Sequence, residues 1–339
     1  MAYKHIIVRE FGGPDSLEVI EETDLPEPQA GEVRVKVLAA GTGFTDTIIR
    51  QGQYVDVKDK PPFTLGYDWF GVVDKLGEGT TGLTLGQYVA DMPVIGGYTE
   101  YLTVDADRVV PAPPGLDPAE AVCMVLSYTT AYQMLTRIRD IPPGSKCLVH
   151  AAGGAVGTAL LELGRHMGLE MYGTASAGKK DLVESFGAVH IDYRQDDFVA
   201  RSLELSGGGV DVVFDTIGGR NWSRSYRCLK RGGILIAFGA LQITTGEEKL
   251  TSLLAGFARL MLLWKLLPDG KSSVFYNIQK RREKLPQEFK QDVQALFELL
   301  KAGKLKPAVV ARMPLEQAAE AHRLIDKAQV QGKIVLVNA

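Results

Sequence analysis

The sequence predicts an α/β protein built from a doubly wound parallel sheet joined to a mostly β domain. Three observations carry that reading. From about residue 128, short apolar runs alternate with helical stretches five times. Before that point the chain is strand-rich and punctuated by glycine and proline. A glycine turn, "AAGGAVG" (151–157), joins the first apolar run of the alternating part to a helix. Strands apolar on both faces belong to parallel sheets covered by helices.

The N-terminal stretch "MAYKHIIVREFGG" alternates apolar residues like a strand and lacks the apolar core of a signal peptide. "EVRVKVLAAG" (32–41), "FGVVDKLG" (70–77), "GQYVADM" (86–92) and "YTEYLTV" (98–104) are further short β runs separated by turn residues. They suggest a partly open barrel. "PAEAVCMVLSYTTAYQMLTRI" (118–138) starts a helix, with Pro118 in its first turn, and continues into a second helical stretch.

The strands "KCLVHAA", "EMYGTAS", "HIDY", "VDVVFDTIG" and "GGILIAFGA" then alternate with helices expected over 155–168, 179–186, 196–205 and around 221–229. After 285 a helix and a strand-helix-strand ending in "GKIVLVNA" leave that series and are expected to return to the first domain. The expected domains are 1–127 with 285–339, and 128–284.

The 339 residues are 45% hydrophobic and 23% charged, an ordinary globular composition. A formal net charge of −3 gives no basic field for nucleic acid or anionic membrane. The basic run "KRREK" (280–284) reads as a solvated helix end. Cys123, Cys147 and Cys228 are widely spaced and odd in number, which fits a reducing compartment rather than a disulfide scaffold. No apolar run reaches the roughly 18 to 20 residues that span a bilayer, so a cytoplasmic protein is expected.

A dinucleotide turn needs a tight exit from a strand, a backbone that phosphate can approach, and a close helix-strand contact. Gly153 or Gly154 makes the turn, Gly154 admits phosphate, and Gly157 permits the packing, while Ala151 replaces the usual leading glycine. The helix N-terminus offers partial positive charge to a pyrophosphate. The end of the second strand decides which nucleotide. Selection for NAD places an acid there, about 20 residues past the turn. Here "YGTASAGKKD" has none before Asp181, and Lys179 with Lys180 favours the 2′-phosphate of NADP(H).

These residues, with "GTGFTDTIIRQGQY" (41–54), "LGYDWFGVV" (65–73), "GGYTEY" (96–101), "SYTTAYQML" (127–135), "FDTIGG" (214–219) and "GKIVLV" (332–337), resemble the zinc-independent medium-chain dehydrogenase/reductases, in the quinone oxidoreductase (zeta-crystallin-like) family. The resemblance implies a GroES-like catalytic domain and a Rossmann domain with the active site between them. It implies that Thr130 lies near the nicotinamide ribose and phosphates. Gly154, Ala155 and Val156 would meet the pyrophosphate. Ser176, Lys179 or Lys180, and Tyr193 would surround the 2′-phosphate, and Phe238, Gly239 and Ala240 the nicotinamide. By the same resemblance Tyr54 would stand at the substrate mouth, as a candidate catalytic residue. The family usually has Asn where this chain has Gly43.

Zinc-dependent relatives use Cys, His and a second Cys or acid around one open position. Gly41 and Tyr67 stand where the first Cys and the His would be. Leu126 lies near the third place, with Cys123 three residues too early, so no metal is expected. Without a Lewis acid, a quinone or an α,β-unsaturated carbonyl, which carries its own electron sink, is the suitable hydride acceptor.

The alternative is a nucleotide-binding protein of this fold with a structural, RNA-binding or membrane-associated role and little turnover. Two features remain. The segment 250–267 is apolar around most of a helix, which suggests burial, as a lid, a dimer contact or a membrane-surface helix. "SSVFYNI" (272–278) reads as an edge strand through which a homodimer would form.

Overall fold

The computed structural model describes residues 1–241 and 250–338. They divide into two compact units, Met1–Thr129 with the stretch from Gln287 to the C-terminus, and Thr130–Pro286.

The first unit opens with β1 (Tyr3–Val8), β2 (Leu17–Glu22) and β3 (Glu32–Gly41). In β3 the burial alternates, with Val33, Val35 and Val37 inside, as period-2 geometry requires of a half-covered strand. Helix α1 (Phe44–Arg50) follows, then β4 (Phe63–Thr64), β5 (Asp68–Leu76), β6 (Tyr88–Asp91), β7 (Tyr101–Asp105) and β8 (Val110–Pro111). The strands β2, β1 and β4 form one small sheet. In the larger sheet β3 pairs antiparallel with both β5 and β7, and Val33, Val35, Val37, Trp69, Val73 and Val89 pack together beneath it.

Helix α2 (Pro118–Cys123) is capped by Asp117, whose side chain accepts from the amides of Ala119 and Glu120. A π-helical turn over Met124–Tyr128 links it to α3 (Thr129–Thr136).

The second unit carries β9 (Lys146–His150), α4 (Ala155–His166), β10 (Glu170–Ala175), α5 (Lys180–Ser185), β11 (Val189–Asp192), α6 (Phe198–Ser206), β12 (Val210–Asp215), α7 (Arg220–Arg227) and β13 (Leu229–Ala237). Then come α8 (Leu250–Ala258) and β14 (Ser272–Phe275). The sheet order is β11-β10-β9-β12-β13-β14, and every pairing is parallel. The order reverses between β9 and β12, so the carboxyl ends of those strands form a topological switch point.

The expected helix at 179–186 begins as a 3-10 turn over Ala177–Lys179. Strand β13 starts at Leu229, earlier than its apolar run suggests.

Within the chain, the apolar segment over 250–267 buries one stripe and leaves other apolar positions exposed. A π-helical turn (Arg259–Leu263) and a 3-10 turn (Trp264–Leu266) continue α8. Gly256, Leu260 and Trp264, four residues apart, face the core beside Trp222 and Tyr226. Leu254, Met261, Leu262, Leu263, Leu266 and Leu267 are exposed, Leu266 at 80%. A helix offers one stripe to its own core, and here the other faces are apolar too.

Strand β14 is the sheet edge the sequence suggests, but it ends at Phe275, because α9 (Ile278–Lys284) starts three residues later. The chain then returns to the first unit through α10 (Pro286–Lys301), β15 (Val309–Pro314), α11 (Ala318–Asp326) and β16 (Lys333–Val337). In α10, Phe289, Val293, Leu296, Phe297 and Leu300 form the buried stripe. Strand β16 pairs with β3 and with β15, completing a seven-stranded sheet.

Arg50, fully buried at the end of α1, reaches Asp326 of α11 at 2.8 Å and His322 Nδ1 at 3.1 Å. Because the guanidinium only donates, His322 Nδ1 accepts, and Nε2 carries the proton toward Tyr98 Oη at 3.3 Å. Burial, then the facing Arg50, holds the His322 pKa down to about 3.

Candidate active site

The glycine turn sits at the carboxyl end of β9, on the switch point. Ala151 adopts φ +54°, the left-handed region that a leading glycine would occupy without strain. Gly154 is the N-cap of α4, with extended backbone. The first amides of a helix lack intrahelical partners and point outward, so Ala155, Val156 and Gly157 present N–H groups to an anion. A Cβ at Gly157 would lie 2.3 Å from the Ala151 carbonyl oxygen, so only glycine allows this helix-strand approach. The Ala152 amide donates to the Thr174 oxygen at 3.1 Å, tying the turn to β10.

The parallel register Ala175↔Asp192 brings the next residues, Ser176 and Tyr193, to neighbouring strand ends. The two lysines differ. The stem of Lys179 lies across Gly153, where a Cβ would be 2.6 Å from the Lys179 Cδ, and burial lowers the Lys179 pKa. Lys180 is exposed and faces Glu184 one turn along α5 at 3.9 Å. Asp192 accepts from the Arg194 amide, and the Arg194 guanidinium lies 5.8 Å from the centre of the Tyr193 ring. Arg194 adds a cation here that sequence reasoning missed, although "IDYRQ" contains it.

At the other end, the loops after β12 and β13 pack on each other. Phe238 donates its amide to the Asp215 oxygen and Leu241 to that of Thr216. A Cβ at Gly239 would be 2.4 Å from Thr216 Oγ1, and one at Gly218 (φ +91°) 2.7 Å from the Ala240 Cα. Thr130 is buried on α3. A buried polar network lies beneath. Asp215 accepts from the amides of Ile217 and Gly218, from Asn221 Nδ2 at 3.0 Å and from Ser225 Oγ at 2.6 Å. Ser225 has then spent its proton, so it accepts from His150 Nε2 at 2.9 Å, and Thr174 Oγ1 donates to His150 Nδ1 at 2.9 Å. Burial, the larger cause, lowers the His150 pKa, in keeping with a neutral ring. The histidine is a structural strut joining β10, β9 and α7.

In the first unit, Asp46 is fully buried in α1. It accepts from the Gly43 amide at 2.8 Å and the Tyr67 amide at 3.1 Å. Burial, then the Asp68 carboxylate, pushes its pKa up to about 8. Gly43 has extended backbone, and a Cβ there would make only ordinary contacts, 3.6 Å to Asp46 Oδ2 and 4.0 Å to the Thr45 amide nitrogen. Tyr54 Oη and Tyr67 Oη are 2.9 Å apart, and burial raises both phenol pKa values. Lys333 Nζ is buried 3.3 Å from both Asp68 Oδ2 and Ser127 Oγ. Gly41 lies against this pair. A Cβ there would be 2.4 Å from Asp68 Oδ1 and 2.5 Å from Lys333 Nζ.

Residues 29–114 match the family model of the alcohol dehydrogenase GroES-like domain, and residues 186–336 that of the zinc-binding dehydrogenases. The 2-haloacrylate reductase of a Burkholderia species is 30% identical over 338 residues, covering 98% of both chains. The chain belongs to the medium-chain dehydrogenase/reductase superfamily. The zebrafish (Danio rerio) synaptic vesicle membrane protein VAT-1 homolog is 31% identical, over 98% of this chain and 70% of that protein. The Escherichia coli quinone oxidoreductase, solved as a complex with NADPH, superimposes with a TM-score of 0.87 at 28% identity, over 99% of this chain and 100% of that one.

Although one matching model describes zinc-binding dehydrogenases, the residues here do not fit the metal. Position 41 has no side chain, and the space a cysteine would enter is filled by the Lys333–Asp68 pair. Tyr67 turns its hydroxyl to Tyr54. Among the described residues no three His, Cys, Asp or Glu side chains could together hold a metal ion. Among them, too, no helix is long and apolar enough to cross a membrane.

Proposed function

We propose that this medium-chain reductase binds NADPH and reduces a quinone or an α,β-unsaturated carbonyl without a metal. The observation that carries the reading is the Lys179 stem laid over Gly153, which supports a cation beside the phosphate-binding turn where no acid ends β10. In this reading Gly154, Ala155, Val156 and Gly157 hold the pyrophosphate, and Ser176, Lys179, Tyr193 and Arg194 take the 2′-phosphate. Thr130, Phe238, Gly239 and Ala240 bound the nicotinamide end. Lys180 is left out, since Glu184 engages it. NADPH, when bound, supplies the hydride.

The chain's own part is positioning and the exclusion of water. Among the described residues no ligand set could hold a metal to stabilise the alkoxide of a simple alcohol. An acceptor that moves charge onto its own conjugated oxygen needs less help. Likeness to the 2-haloacrylate reductase and to the E. coli quinone oxidoreductase supports the same acceptor class.

We also propose a homodimer formed edge to edge through β14, with the exposed leucines after α8 covered beside it. Three buried, unpaired cysteines fit the reducing cytoplasm. The test is an acceptor panel under saturating NADPH: a benzoquinone, an alkenal and a saturated ketone. The quinone or the alkenal should be reduced, and the ketone should not. Binding of NADPH with no acceptor reduced would defeat the reading.

A further inference from the structure

We propose that Tyr67 is a positioning residue that turns the Tyr54 hydroxyl outward as the proton donor to the acceptor. The inference deepens the reductase reading and rests on it.

Each phenol carries one O–H. The two hydroxyls are 2.9 Å apart, with the rings edge to face at 6.0 Å and 77°. Tyr67 is 1% exposed, and its hydroxyl meets no other protein acceptor among the described residues, whereas Tyr54 is half-buried. If Tyr54 donated inward, the Tyr67 proton would be buried with no acceptor, the costlier of the two arrangements. Tyr67 therefore donates and Tyr54 accepts. The Tyr54 proton then points away from the core, toward whatever occupies its open side.

Tyr67 is held firmly enough to impose this direction. Its amide donates to Asp46, and its carbonyl accepts from the Val94 amide at 3.2 Å. Val94 itself sits at φ +81°, a conformation that a β-branched residue adopts only when its surroundings enforce it. Burial, with a smaller contribution from Asp56, raises the Tyr54 pKa, so it stays protonated near neutrality and can serve as an acid. The Tyr67 hydrogen bond acts in the opposite sense, favouring the phenolate left after proton transfer.

The step balances. An acceptor that has gained hydride from the reduced nicotinamide carries an electron pair on its α-carbon or oxygen. That pair takes the proton as the Tyr54 O–H bond breaks, forming C–H or O–H. The phenolate recovers a proton from solvent.

Two measurements test the assignment. Tyr67→Phe should lower kcat about tenfold while leaving both KM values within about twofold, a modest share of what general acids contribute. Tyr54→Phe should lower kcat at least as much, and Tyr54→Phe/Tyr67→Phe should be no worse than Tyr54→Phe alone. The second measurement needs no turnover. With 3-fluorotyrosine placed at position 54 of the cofactor-free protein, Tyr67→Phe should move the ¹⁹F titration midpoint to higher pH.

An unchanged or lower midpoint would overturn the inference, as would an equal Tyr67→Phe loss in the Tyr54→Phe background. If the wild type reduced no acceptor, the reductase reading would fall, taking the assignment of Tyr54 as donor with it. An upward ¹⁹F shift alongside that failure would mark the orientation of the pair as correct and the chemistry as wrong.

Discussion

Ala151 and Lys179 each hold a position where one side chain sets the character of the turn. Ala151 tolerates φ +54° in place of the usual glycine. Left-handed geometry costs a non-glycine residue about 1–2 kcal/mol, and glycine would return part of that as unfolded-chain entropy. Ala151→Gly should therefore stabilise the protein by about 0.5–1 kcal/mol in a denaturant titration; a loss of stability would show that the Ala151 methyl is needed. Lys179→Ala should weaken NADPH binding at least tenfold, the loss of one charge-assisted phosphate contact at about 1.5 kcal/mol or more. NADH binding should hardly change. Lys180→Ala should leave both within about threefold. Calorimetric titration separates the two, and equal effects of the two substitutions would contradict the assignment to Lys179.

At the scale of elements, α1 and α11 are joined by Arg50, His322 and Asp326. The His322 pKa is about 3 in the folded chain, below an ordinary histidine value of about 6.5. A depressed histidine pKa gives stability that is complete above about pH 6.5 and is lost as pH falls toward 3. Stability should fall across that window by about 1.4 kcal/mol per pH unit for this one proton. His322→Asn should remove that share of the slope. Urea unfolding at several pH values measures it, and an unchanged slope would place the acid sensitivity elsewhere.

Elements also show what the sequence made legible. The parallel strands and the glycine turn were readable because apolar runs and glycine placement are local signals. Gly157 is one such signal, since a Cβ there would lie 2.3 Å from the Ala151 carbonyl oxygen. The partners of the site were not readable. Tyr54 meets Tyr67 across 13 residues, His150 meets Ser225 across 75, and Lys333 meets Asp68 across 265. No periodicity encodes such pairings. The apolar run over 250–267 is legible as a surface that wants cover, but hydrophobicity says nothing about whether the cover lies within the same chain.

For the whole molecule, the homodimer proposed through β14 would cover those exposed leucines. Light scattering should give twice the chain mass, and Leu262→Glu with Leu266→Glu should shift it toward the monomer without unfolding the chain. A monomeric wild type would refute the edge-to-edge dimer.

The proposal that most needs testing is chemical: that the chain binds NADPH and its hydride reaches the acceptor without a metal. The most direct measurement follows NADPH carrying deuterium at the transferable C4 position, with an alkenal acceptor and excess chelator. The account predicts one deuterium at the β-carbon of the product and a rate the chelator leaves unchanged. Product without deuterium, or a rate that collapses when metal is removed, would contradict it.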